Sequence, residues 1–125
     1  MTNRSRVQVR RIYDAPMPDD GTRVLVDRLW PRGMSKVRAH LDEWCKDIAP
    51  STGLRDWYHH DPTLFGEFTR RYTDELRAPV PAAALAHLRE FATQQPLTLL
   101  TATKDPEISE AAVLRQLLTH DEPGS

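Results

Sequence analysis

Two short runs restrict how this chain can fold more than any other feature. Arg23-Val-Leu-Val-Asp27 sets three apolar residues in succession between a turn-rich segment and Trp30-Pro-Arg-Gly33. Leu97-Thr-Leu-Leu-Thr-Ala102 lies between Pro96 and a polar loop. Successive side chains of a strand point to opposite faces, so an unbroken apolar run fits a strand only where both faces are covered. Both runs read as buried strands of an α/β layer structure.

The segments around them supply the covering elements. Val7 to Ile12 alternates at its start and reads as a strand, and Tyr13 to Gly21, with two prolines, a glycine and acids, reads as a long turn. Leu41 to Ile48 fits a helical stripe through Leu41, Trp44, Cys45 and Ile48, or a strand through Trp44, Lys46 and Ile48; the strand reading is preferred. Ser51 is a good N-cap for a short helix that turns Leu54, Trp57 and Tyr58 inward and stops near His60. Asp61-Pro62 then opens a helix with Leu64, Phe65, Phe68, Tyr72 and Leu76 at three-to-four spacing. Pro79 and Pro81 break it, and a further helix from about Pro81 buries Ala84, Leu85, Leu88 and Phe91. After the second apolar run, a last helix carries Ile108, Ala111, Leu114 and Leu118. The expectation is one α/β domain over residues 1–125, with a core of about 7–119, a flexible tail at 120–125, and a small mostly parallel or mixed sheet flanked by helices.

Composition narrows the function classes. With 39% hydrophobic and 28% charged residues, a modest core under a well-solvated surface is expected rather than disorder. No apolar run approaches the ~20 residues of a bilayer crossing, so no membrane association is expected. Nothing after Met1-Thr-Asn-Arg-Ser-Arg6 resembles a signal core, and the single Cys45 rules out an internal disulfide, so the expected compartment is the cytoplasm. Residues 1–38 hold nine Lys and Arg against four Asp, whereas the remainder holds eight against fourteen Asp and Glu. Such a basic third can focus an anion if folding gathers its arginines.

The strings Arg11-Ile-Tyr-Asp14, Arg23 to Gly33, Asp47-Ile-Ala-Pro-Ser51, Trp57-Tyr-His-His-Asp-Pro62 and Leu99-Leu-Thr-Ala-Thr-Lys-Asp105 occur in that order. Together they resemble the YeaO-like family (DUF488) of small bacterial proteins, over about residues 7–119. The resemblance implies a compact α/β fold and assigns no activity. Members of that family often continue the Lys-Asp loop with His and Asn. Here the loop continues Pro106-Glu-Ile-Ser-Glu110, which leaves Glu107 or Ser109 as replacements for any chemistry those groups perform.

In open α/β sheets ligands sit beyond the carboxyl ends of the strands. One apolar run ends in Asp27, Arg28, Trp30, Arg32 and Lys36, the other in Thr101, Thr103, Lys104 and Asp105. If the strands are neighbours, these loops share a pocket in which Arg28, Trp30, Arg32, Lys36, Lys104 and Asp105 hold a phosphate- or carboxylate-bearing ligand. Asp27, His59 and His60 are its candidate proton-transfer groups. The plainer alternative pairs the arginines with nearby acids and packs Trp30 in the core. His59-His60-Asp61 is a poor metal set, because neighbours on a helix diverge by about 100° and Asp61 serves better as a cap. Cys45 reads as a buried thiol. Neither a Walker A loop nor Gly-x-Gly-x-x-Gly occurs, and no cofactor is expected.

Two readings compete with a small-anion site. Arg4, Arg6, Arg10, Arg11, Arg32 and Arg38 could track a nucleic-acid backbone, against which the pI of about 6.5 weighs. Trp44, Trp57 and Tyr58 could anchor a protein partner. No coiled-coil seam is present, and the sequence assigns no oligomeric state.

Overall fold

The computed structural model describes residues 6–119, so Arg4 and the expected tail at 120–125 lie outside the described residues. Four strands, β1 (Val7–Arg11), β2 (Thr22–Leu25), β3 (Glu43–Trp44) and β4 (Leu97–Thr101), form one wholly parallel sheet in the order β1-β4-β2-β3. The two apolar runs are its central strands, side by side, with Leu25 opposite Leu100. The last strand of the chain therefore enters between the first two.

Alternation along these strands builds two cores. Val24, Val26, Leu97 and Leu99 face one side, where they meet the helices α2 (Thr52–Tyr58), α3 (Phe65–Glu75), α4 (Pro79–Gln94) and α5 (Glu110–Thr119) through Leu54, Phe68, Tyr72, Leu88 and Leu114. Leu25 and Leu100 face the other side with Ile12, Met34 and Ala39, under Trp30 and Trp44. Both faces are covered, as two runs with apolar residues on both faces require.

Local chemistry sets the helix limits. Ser51 Oγ accepts from the Leu54 amide at the start of α2. Asp61 caps a single 3-10 turn, Pro62–Leu64, that leads into α3. Pro79 and Pro81 do not stand ahead of α4 but within its first turn, where amides lack intrahelical acceptors and proline loses nothing. The segment from Leu41 to Ile48 is only partly a strand: Glu43–Trp44 pairs with β2, and Lys46–Ile48 is a 3-10 turn. Ile48 then turns into the main core, where Tyr72 Oη donates to its carbonyl. The four-residue helix α1 (Lys36–Ala39) has no apolar stripe to announce it, because Ala39 is its one buried residue.

At the amino ends of the central strands, Asp20 is 1% exposed and Arg23 is 5% exposed. The Asp20 carboxylate accepts from the Met17 amide, Gln8 Nε2, Arg10 and Arg23, the last at 2.5 Å. Arg23 also donates to the carbonyls of Ala39 and His40, which pins the end of α1 to β2. Thr98 Oγ1 of β4 donates to the Asp20 carbonyl. Next to it Gly21 sits at φ +67°, and a Cβ there would meet the Pro96 carbonyl oxygen at 2.0 Å.

Burial pushes the Asp20 carboxyl up, but the Met17 amide and the two guanidinium groups outweigh it and hold the group below its usual range. A carboxyl depressed on folding stabilises the fold above its unfolded pKa, and that contribution fades as pH falls through the folded value. Asp20→Ala leaves Arg23 buried without its counter-ion, which should cost about 3–5 kcal/mol at pH 7. Urea denaturation at pH 7 and pH 3 checks this. The gap from the parent protein should narrow at the lower pH, and an equal gap at both would contradict the assignment.

Candidate functional site

The parallel pairing of β2 with β4 brings their following loops together, since Val26 N still donates to Leu100 O at 3.1 Å where both strands end. Asp27 closes the junction. Its carboxylate accepts from Thr101 Oγ1 and from the Ala102 amide, both at 2.8 Å, while its carbonyl accepts from Trp44 Nε1 at 2.8 Å. Above it opens a cleft of about 590 Å³.

From the loop after β2, Arg28, Trp30 and Arg32 line this cleft. Arg28 Nη2 donates to the carbonyls of Ala49 and Pro50 at 3.2 Å, and its buried Nε finds no acceptor among the described residues. Trp30 is fixed by a 2.7 Å bond from Nε1 to Met34 O and by edge-on contact with Trp44. Tyr13 Oη donates to Arg32 O at 2.9 Å and fastens the same loop from the other side. From the loop after β4 come Thr103 and Lys104.

The opposite wall is the end of α2, with Arg55, Asp56 and Tyr58 followed by His59 and His60. His59 and His60 both hold left-handed backbone, at φ 46° and 56°, a conformation that side chains other than glycine adopt at a cost. They leave the helix at its C-cap, and both residues line the cleft. Tyr58 Oη donates to Ile108 O at 2.7 Å. Burial first, then Asp105, Asp61 and Glu110, push its phenol up to about 12.

The floor is acidic. Glu110, in the first turn of α5, is hydrogen-bonded to Asp27, and the pair lies beside Arg55. Burial, the bond to Asp27 and the Asp27 charge hold the Glu110 carboxyl well above its usual range, against smaller opposing effects of its own amide and Arg55.

Of the residues read from the sequence, Asp27, Arg28, Trp30, Arg32, His59, His60 and Lys104 are brought together here. Lys36 and Asp105 are not. Lys36 is exposed at the start of α1, and Asp105 caps the 3-10 turn Pro106–Ile108 through the Glu107 amide. Of the two replacements read for the altered loop, Glu107 lies outside, exposed and ion-paired to Arg115 at 2.6 Å. Ser109 lines the cleft, but its hydroxyl donates to Pro106 O and accepts from the Ala111 amide. Glu110, Arg55 and Asp56 were not read as site residues.

The remaining candidates sit elsewhere. Cys45 is buried outside the cleft, with its thiol pushed up to about 11 by burial and by Glu43 and Asp47. No group of three or more His, Cys, Asp or Glu among the described residues is arranged to hold a metal ion. Arg10 is paired with Asp20 and Arg6 with Asp19, while Arg11 donates to Thr103 O and lies over the Tyr13 ring. Trp44 and Trp57 are half-buried, the latter beneath Arg71. No helix of the described residues is long and apolar enough to cross a membrane.

A family model described as the inactive DUF488-N3 subclade matches residues 6–122. The chain belongs to the YeaO-like DUF488 family. Within it, the uncharacterized protein Rv3073c of Mycobacterium tuberculosis is 50% identical over 118 residues, 94% of this chain and 98% of that one. The uncharacterized protein YeaO of Escherichia coli is 41% identical over 112 residues, 90% and 96% of the two chains. No solved structure gives a significant match. The expected resemblance is thereby shown for the DUF488 family.

A buried acid whose pKa is raised on folding weakens the fold as pH climbs from its unfolded value, about 4.3, toward the folded one. Glu110→Gln keeps a donor to Asp27 and removes that penalty. Its thermal midpoint should exceed the parent's at pH 8, by the 0.5–2 kcal/mol common among stabilising changes, and the difference should vanish near pH 4. A variant less stable than the parent at pH 8 would contradict the raised Glu110 carboxyl.

Proposed function

We propose that this chain binds a small phosphate- or carboxylate-bearing molecule in the cleft beyond β2 and β4, without turning it over. The observation that carries this reading is the convergence of Arg28, Arg32, Arg55 and Lys104 on one concavity at the carboxyl ends of neighbouring parallel strands. Guanidinium groups present a planar fork of donors to phosphate or carboxylate, and lysine adds a point charge. The volume lies within the ordinary range for small-molecule sites, roughly 300–1,000 Å³.

The bonds from Arg28 to the Ala49 and Pro50 carbonyls support a pre-organised site, since that guanidinium needs little ordering when an anion arrives. Binding without turnover is supported by the description of the matching subclade as inactive. It is also supported by the engagement of one proton-transfer candidate: both Asp27 oxygens are hydrogen-bonded within the fold. The reading places the protein in the cytoplasm, where a single reduced, buried thiol is at home.

The test is a thermal-shift screen with sulfate, inorganic phosphate, sugar phosphates and small carboxylates, followed by calorimetry. An anion at a hundredfold excess over its dissociation constant should stabilise the fold by about 2.7 kcal/mol. Arg32→Ala, Arg55→Ala and Lys104→Ala should each weaken binding about tenfold or more, the loss of one charged hydrogen bond. Arg38→Ala, outside the cleft, should leave it unchanged. No shift with any anion would remove the reading.

A further inference from the structure

The cleft that gathers four cations also has two touching carboxyl groups as its floor, and this has a consequence for any anion bound there. Resting on the reading above, we propose that the site takes its anion together with one proton, which Asp27 and Glu110 hold between them while the ligand is bound. The ligand class is a phosphate monoester or a carboxylate seated against a floor that must carry no more than one negative charge.

The geometry sets this requirement. Asp27 is fixed at the strand junction by Thr101 Oγ1 and the Ala102 amide, and Glu110, in the first turn of α5, meets it there in a hydrogen bond. The groups that face the pair come from each surrounding element. The loop after β2 contributes Arg28 and Arg32, and the loop after β4 contributes Lys104. From α2 and its end come Arg55, Asp56, Tyr58, His59 and His60. From α3, Tyr72 feels the Glu110 charge. Four cations thus face Asp56 and the pair.

With one proton on the pair, the cations exceed the carboxylates by two, and a dianion is matched. With none, the floor adds a second charge directly beneath the ligand, which repels it. The raised Glu110 carboxyl agrees with the first state. Bound anion and retained proton then favour each other reciprocally, as any two linked ligands must. Proton loss takes place at Glu110, because Asp27 remains the acceptor for the Thr101 hydroxyl and the Ala102 amide.

The experiment titrates sulfate, a dianion throughout the range, into the parent protein and into Glu110→Gln by calorimetry from pH 6 to pH 10. The other residues that line the cleft are the same in both proteins, so the difference between the two curves belongs to the pair. The parent's association constant should fall below that of the variant as the pair gives up its proton, by up to tenfold per pH unit, about the limit for one linked proton. Glu110→Gln should lack that fall. Circular dichroism at each pH confirms that both proteins are folded. Superimposed curves with sulfate bound would overturn the proton coupling and leave the anion site standing. Sulfate bound by neither protein would overturn both.

Discussion

The carboxylate of Asp27 determines how the two central strands end together. One oxygen takes the hydroxyl of the last residue of β4, the other takes the next amide, and the Asp27 carbonyl takes the indole of Trp44 from the adjoining strand. Three strands of a four-stranded parallel sheet are therefore registered at one residue. Parallel strands cannot be joined by a hairpin, so their alignment must be set by contacts outside the ladder. Asp27 provides them at the carboxyl end. At the amino end Asp20, bonded to Arg10, Arg23 and Gln8, performs the same task. The apolar residues between these two acids can then alternate cleanly between two cores.

This arrangement explains which parts of the fold were legible in the sequence. The runs after Arg23 and Leu97 announced buried strands because their apolar residues fall on both faces, broken in the second only by threonines, and Ser51 and Asp61 announced helix starts because an oxygen at those positions satisfies a free amide. What failed to show was structure without a pattern. Four residues of α1 bury one alanine, and β3 pairs through only two residues before the chain turns into the core. No periodicity can develop over such lengths. Pro79 and Pro81 misled for a different reason: proline stops a helix from the inside and suits its first turn equally well.

The site was legible to the extent that it lies on strand ends. Asp27, Arg28, Arg32 and Lys104 follow apolar runs directly, and adjacency of the runs suffices to bring them together. Glu110 and Arg55 were hidden because they reach the cleft from helices, and their distance from Asp27 depends on how α2 and α5 pack on the sheet. The altered loop directed attention to Glu107 and Ser109, yet the 3-10 turn Pro106–Ile108 rotates Glu107 outward to Arg115 and commits Ser109 as a cap. One residue further on, the chain enters α5 and its first side chain faces back toward the strand ends. A turn type, unreadable from that composition, selected which acid joined the floor.

The same geometry bears on ligand size. A basic first third would suit a long polyanion only if its arginines were free, but Arg10 and Arg23 are bound to Asp20, Arg6 to Asp19 and Arg11 to a backbone carbonyl. Much of the charge skew in the sequence is thus matched locally and holds the sheet together. The cations around the cleft come instead from three separate segments and surround a concavity whose floor is acidic. A nucleic-acid backbone requires a continuous positive track at a spacing of phosphates. A single phosphate or carboxylate requires only a few donors converging on one point, with the opposing charge below kept small. The second description is the one that Arg28, Arg32, Arg55 and Lys104 above a carboxyl pair satisfy.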